Sequence, residues 1–172
     1  MKKNYLFTPG PTMVPPEVAL AEAQTMIHHR TPQFSQIFYE LSEDLKYLFQ
    51  TKTGEVFTLM SSGTGAMEAC VANVLSRGNK ALVVVSGKFG ERWAELCTCF
   101  GIETIPLCVE NGKAVNPEDI DAALKKTPGI TAVFTTQCET STGVVHDIKS
   151  ISSIVKKYGA LMVVDSITGI GV

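Results

Sequence analysis

Residues 80–101 read Lys80-Ala81-Leu82-Val83-Val84-Val85-Ser86-Gly87-Lys88-Phe89-Gly90-Glu91-Arg92-Trp93-Ala94-Glu95-Leu96-Cys97-Thr98-Cys99-Phe100-Gly101. The run 81–85 is apolar without interruption and rich in valine. It is the right length for a strand and shows no polar alternation, so it predicts a strand covered on both faces. Phe89, Trp93, Leu96, Cys97 and Phe100 then mark one face of a helix, which Gly101 ends. A fully buried strand running straight into a helix is half of a βα unit.

The same unit recurs on both sides of this stretch. Upstream, 56–60 reads as a short apolar strand, 61–65 (Ser-Ser-Gly-Thr-Gly) as a turn and 66–76 as a helix. Downstream, strands are predicted at 103–107, 130–135 and 160–164. Asn116 and Pro117 make a good helix start, with Asn as N-cap and Pro at the first helical position, for a helix to about Lys126. Asp147 can cap a helix carrying Ile148, Ile151, Ile154 and Val155, which Gly159 stops. Strand and helix alternating about every 25 residues predicts a three-layer α/β/α fold on a mostly parallel sheet. The first third differs. Residues 1–16 hold Pro9, Gly10, Pro11, Pro15 and Pro16 and predict an irregular arm. A helix is expected at 17–28. Phe34, Ile37, Phe38, Leu41, Leu45, Leu48 and Phe49 keep one helical face through 33–50.

Composition narrows the function. With 45% apolar and 19% charged residues and a mean hydropathy of +0.15, the chain is not intrinsically disordered. The net charge of −2 gives no electrostatic footprint for nucleic acid. No apolar run approaches the roughly 18 residues that span a bilayer, and the N-terminus has no signal-peptide core. Cys70, Cys97, Cys99, Cys108 and Cys138 are an odd number without metal or disulfide spacing. They read as free, mostly buried thiols in a reducing compartment, and the cytoplasm is the expected location.

Ligands of open α/β sheets sit beyond the carboxyl ends of the strands. Three polar clusters fall there: 61–65, 137–142 and 165–168. The first suits a phosphate at a helix N-terminus, and equally a tight turn with Ser/Thr capping. It is neither a dinucleotide fingerprint, because Glu68 stands at the third glycine position, nor a P-loop. Asp165 ends a buried strand. It reads either as a cap or structural ion-pair partner, or as a carboxylate aimed at a protonated cofactor nitrogen. Phe89 could cover a planar ligand, while Trp93 fits the core face. His28, His29 and Arg30 form a cationic cluster that reads as complement to a helix C-terminus, or as a contact for an anionic substrate or partner. No metal set is expected, and His146 reads as structural. Glu17, Glu40, Glu43 and Glu118 read as solvated helix faces.

Four segments in order resemble the class V branch of fold-type I pyridoxal-phosphate enzymes, nearest the alanine–glyoxylate and serine–glyoxylate (serine–pyruvate) aminotransferases. They are Phe7-Thr8-Pro9-Gly10-Pro11-Thr12 with Pro15-Pro16; Ser61-Ser62-Gly63-Thr64-Gly65-Ala66-Met67-Glu68-Ala69; Glu139-Thr140-Ser141-Thr142-Gly143-Val144; and Val163-Val164-Asp165-Ser166. The resemblance implies pyridoxal 5'-phosphate as cofactor, with its phosphate on Ser62, Gly63 and Thr64. It implies Phe89 stacked on the ring, where many relatives carry Trp or Tyr, Thr140 near the ring hydroxyl and Asp165 on the ring nitrogen. Gly10, in the arm of residues 1–16, would lie near the substrate. The implied reaction moves an amino group from alanine or serine to a keto acid such as glyoxylate or pyruvate, with ping-pong kinetics, in a cytoplasmic homodimer.

The family's Schiff-base lysine lies about 25 residues beyond the aspartate, whereas this chain stops seven residues beyond Asp165. No lysine present occupies the motif position, so no catalytic lysine is assigned. The expectation is that residues 17–172 form the N-terminal portion of the large domain, without its remaining strands and the small C-terminal domain. The chain would be truncated or completed by a second polypeptide, and inactive alone. Two other readings stand: a cysteine desulfurase or other class V lyase, and a non-catalytic module that keeps the fold.

Overall fold

In the computed structural model, which describes residues 5–171, four parallel strands form one sheet in the order β2-β1-β3-β6. They are β1 (Lys80–Val85), β2 (Glu103–Cys108), β3 (Ile130–Thr136) and β6 (Leu161–Asp165). In register, β1 pairs Val83 with Pro106 of β2 and with Phe134 of β3, and β3 pairs Thr136 with Asp165 of β6. Pro106 is tolerated because β2 is an edge strand. A two-residue ribbon of β4 (Cys138–Glu139) and β5 (Val144–Val145) follows β3.

Alternation along the central strands sorts the core into two layers. Ala81 and Val83 of β1 and Ala132 and Phe134 of β3 face α3 (Gly63–Val74) and α4 (Lys88–Cys99), meeting Met67, Val71, Trp93 and Cys97. Leu82, Val84 and Val133 face α5 (Pro117–Lys126) and α6 (Ile148–Lys157), meeting Ile120, Leu124, Ile151 and Val155. The expected three-layer α/β/α architecture is therefore what forms. Trp93 is a core residue, its ring 4.9 Å from that of Phe134. The caps act as read. Asn116 accepts from the Glu118 amide at 3.1 Å, and Asp147 accepts from the Ser150 amide at 3.0 Å. Gly101 and Gly159 end their helices at φ +72° and +68°.

Several expectations are corrected. Residues 56–60 form no strand, and Phe57 and Met60 are exposed. An apolar run becomes a strand only beside a backbone that accepts its ladder, and none of the described strands does so. The helix expected at 66–76 is α3 and starts at Gly63, so Gly63-Thr64-Gly65 is its first turn and not a loop. The thiols are not mostly buried. Cys97 is, and burial pushes it up to about 11, but Cys99 and Cys108 are exposed. All five are unpaired.

The chain divides into two compact units. One runs to Thr58 and the other from Leu59 to Ile170, which contains the sheet. In the first, the helix expected at 17–28 is only α1 (Pro16–Glu22). Ala23 closes it, and no residue of it is buried, so no packing extends it past its cap. The helix expected at 33–50 is α2 (Pro32–Leu48), with Pro32 at its first position and Thr31 as N-cap accepting from the Phe34 amide. His28, His29 and Arg30 belong to the turn entering α2. His28 Nδ1 accepts from the Arg30 amide, and the two imidazoles stack at 4.8 Å. α1 has ended six residues before, so complementing its C-terminus is not their role. Gly10 lies in exposed irregular backbone of this unit. Residues 1–4 of the expected arm lie outside the described residues.

Candidate functional site

The carboxyl ends of β1, β3 and β6 lie side by side, and the polar residues after each strand bond to one another. After β3, the Gln137 amide donates to the Asp165 carbonyl at 2.7 Å, and the Ser166 hydroxyl donates to Gln137 Oε1. The Thr142 hydroxyl reaches across to the Ser86 carbonyl, after β1, at 3.0 Å. The result is one continuous rim, and it holds two of the three clusters picked out by sequence, 137–142 and 165–168.

Glu139 anchors that rim, and sequence reasoning gave it no role. It is fully buried. Oε2 accepts from the amides of Phe89 and Gly90, each at 3.1 Å. Oε1 accepts from the Ser141 amide and hydroxyl, at 3.3 and 2.5 Å. Glu139 thus caps α4 from across the sheet, because the local N-cap, Gly87, has no side chain to do so. Gly87 must lack a Cβ, which would fall 2.7 Å from Glu139 Cγ and Cδ. The legible sign was a helix start at Gly-Lys with no local acceptor.

His146, read as structural, is buried behind the rim. Its Nδ1 accepts from the Val115 amide at 3.1 Å, which places the ring proton on Nε2, 2.8 Å from Ser86 Oγ. Burial lowers its pKa, partly opposed by the charge of Glu139. An imidazole in this tautomer gives Ser86 a proton and cannot take one, so the pair is a brace and not a nucleophile with its base.

The third cluster opens α3. Ser62 is its N-cap and makes no side-chain cap bond. The amides of Gly63 and Thr64 have no acceptor among the described residues. A Cβ on Gly63 would collide with Ile167 Cδ1, the free end of an exposed side chain, so this turn packs against the segment after β6 and a larger residue there would displace Ile167. Arg92 Nη1 donates to Thr64 Oγ1 at 3.1 Å, and its guanidinium lies 5.2 Å over the Phe89 ring. Phe89 is half-buried in the first turn of α4, and Thr140 is half-buried in the turn between β4 and β5. Asp165 is 8% exposed. Its Oδ1 accepts only from the Ile167 amide at 3.1 Å, and no cation pairs with it among the described residues. Ser62, Gly63, Thr64, Phe89, Thr140 and Asp165 thus belong to one unit of the structure, and Gly10 to the other.

The family model for class-V aminotransferases matches residues 4–172. The chain belongs to this family. Among its relatives is a Synechococcus protein named the small subunit of a soluble hydrogenase, 43% identical over 98% of this chain and 44% of that protein. Another is the serine–glyoxylate aminotransferase of Hyphomicrobium methylovorum, 38% identical over 97% of this chain and 42% of that protein. The crystal structure of an alanine–glyoxylate aminotransferase from Nostoc superposes with a TM-score of 0.90 at 27% identity, over 95% of this chain and 43% of that one. The chain spans less than half the length of the curated relatives it matches.

The class V aminotransferase fold is that of fold-type I enzymes, whose cofactor is pyridoxal phosphate. The donor set suits that group. Unpaired amides at a helix N-terminus favour a phosphate. A buried carboxylate without a counter-cation favours a protonated ring nitrogen. Among the described residues no three of His, Cys, Asp and Glu cluster as metal ligands, and no helix is long and apolar enough to cross a membrane.

Proposed function

We propose that the protein transfers an amino group from alanine or serine to a small 2-keto acid such as glyoxylate or pyruvate, using pyridoxal 5'-phosphate. Asp165 carries the proposal. A carboxylate buried at a strand end, holding one backbone amide and no cation among the described residues, is costly unless a positive group meets it. Facing the ring nitrogen, it raises that nitrogen's pKa and keeps its proton in place. Bound with that proton, the cofactor supplies an electron sink for the amino acid's Cα–H bond. Ser62, Gly63 and Thr64 would hold the phosphate through amides and hydroxyls. Phe89 would cover the ring and Thr140 would meet its hydroxyl, and Gly10 is assigned to the substrate. The similarity to serine–glyoxylate and alanine–glyoxylate enzymes supports the choice of substrates.

The chain contributes the N-terminal part of the cofactor domain. The anchoring lysine and the small domain come from further sequence or a second polypeptide, a reading supported by the coverage of under half of each relative. The assembled enzyme is a homodimer. Five unpaired thiols support a reducing cytoplasm.

The test is a half-reaction on the full-length protein. With alanine or serine alone, one equivalent of keto acid should form per bound cofactor, and turnover should resume only when glyoxylate or pyruvate is added. Sulfide from cysteine without keto acid from alanine would replace the proposal with a desulfurase. A protein that binds no pyridoxal phosphate in any assembled form would be a non-catalytic module.

A further inference from the structure

Arg92 is a half-buried arginine that no motif singled out. It sits on α4, one turn after Phe89, and joins two elements that the sequence treats separately. Its Nη1 donates to Thr64 Oγ1 at 3.1 Å, in the first turn of α3, and its guanidinium lies 5.2 Å over the face of Phe89. No carboxylate pairs with it among the described residues. A cation set beside the positive end of a helix, without a counter-charge, is unfavourable by itself. The arrangement becomes favourable when an anion sits at that helix end.

The bond also fixes what Thr64 can do. A hydroxyl has one proton to give and two lone pairs that accept. Arg92 fills an accepting position, and the Thr64 hydroxyl donates to no group among the described residues. Its proton is therefore left for an acceptor on the far side from Arg92. At the same time the planar guanidinium holds the Phe89 ring by a cation–π contact.

We propose that Arg92 is the positioning residue of the phosphate subsite, orienting the Thr64 hydroxyl as a donor to the cofactor phosphate. This rests on the cofactor reading given above. The chemistry predicted is selective. Arg92 matters for a ligand with a phosphate and little for the same ring without one.

The experiment compares pyridoxal 5'-phosphate with pyridoxal as titrants of the full-length apo protein, read by fluorescence quenching. Arg92→Gln should weaken pyridoxal 5'-phosphate by about ten- to a hundredfold, the loss of one charge-assisted link, and pyridoxal by less than about threefold. Because Arg92 acts through Thr64, adding Thr64→Val to Arg92→Gln should cost little more than either change alone. Arg92→Lys keeps the charge but not the flat fork and should recover part of the selectivity. Equal weakening of both titrants, or full additivity with Thr64→Val, would overturn the proposal while leaving the cofactor reading intact. A wild-type protein that does not prefer the phosphorylated titrant would overturn the cofactor reading and the role of Arg92 with it. Thermal unfolding of each variant separates a lost subsite from a lost fold, and a binding loss that merely tracks a fall in Tm counts against the proposal.

Discussion

Glu139 gives each of its oxygens to a different element: Oε2 to the start of α4, and Oε1 to its own turn at Ser141. An amide side chain can accept with only one of its two atoms. Glu139→Gln therefore leaves one pair of donors facing an NH2 group inside the core. We expect a loss of about 1–3 kcal/mol, measured as a lower urea midpoint, together with faster hydrogen exchange at Phe89 and Gly90 or at Ser141. His146 carries a pH dependence. Burial lowers its folded pKa, so it stays neutral where an unfolded histidine begins to take a proton, below about pH 6.5. Above that pH both states are neutral and the group contributes nothing to the slope. Below it only the unfolded state gains the proton, and stability falls as pH falls. The urea midpoint should drop between pH 7.5 and 5.5, and His146→Gln should remove that part of the slope. At this scale sequence reading went as far as a residue's type and place allow. It put Asp165 at a strand end and Trp93 in the core. It could not find Glu139 or Arg92, because their partners lie about fifty residues away (Phe89 and Gly90) and twenty-eight away (Thr64), joined only by the fold.

α4 lies close against β1 because Gly90 has no side chain. A Cβ there would stand 2.6 Å from the Val84 carbonyl oxygen and 2.9 Å from Val85 Cα. Alanine is the better helix former by up to about 1 kcal/mol, but both obstructing atoms are backbone and cannot turn aside. Lifting the helix costs more, about 1–3 kcal/mol, so Gly90→Ala should lower Tm, and it should also disturb the Glu139 cap beneath it. Elements whose information is local were readable. The Val-rich run became β1, and Asn116-Pro117 and Asp147 started the helices they were expected to start. Elements that depend on a distant partner were not. Residues 56–60 carry strand chemistry without a ladder, and 23–28 carry helix-compatible residues with nothing to pack against. The same distinction explains α3. Its glycines suggested a loop, yet the amides of a first turn need no intrahelical acceptor and tolerate glycine at little cost.

Across the molecule, apolar surface is unevenly covered. The helical face read from Phe34 to Phe49 is real as a helix, but α2 has no buried residue, and Ile37, Phe38 and Leu41 are 49%, 44% and 40% exposed. On the sheet, among the described residues β6 is paired only with β3, and Leu161 is 52% exposed. An open strand edge and a contiguous apolar helix face are both features that proteins ordinarily cover. Both burial and backbone pairing therefore favour association of the 172-residue chain over a free monomer. Light scattering after size exclusion should give a mass above the 18.6 kDa of one chain. The two features can be told apart. Phe38→Glu on α2 places a charge on the helix face and leaves the sheet edge intact, while Leu161→Lys charges the edge and leaves the helix. If the helix face drives association, the first change should lower the measured mass and the second should not. A monodisperse wild-type species at 18.6 kDa would mean that neither surface is sticky enough to act alone at the concentrations used.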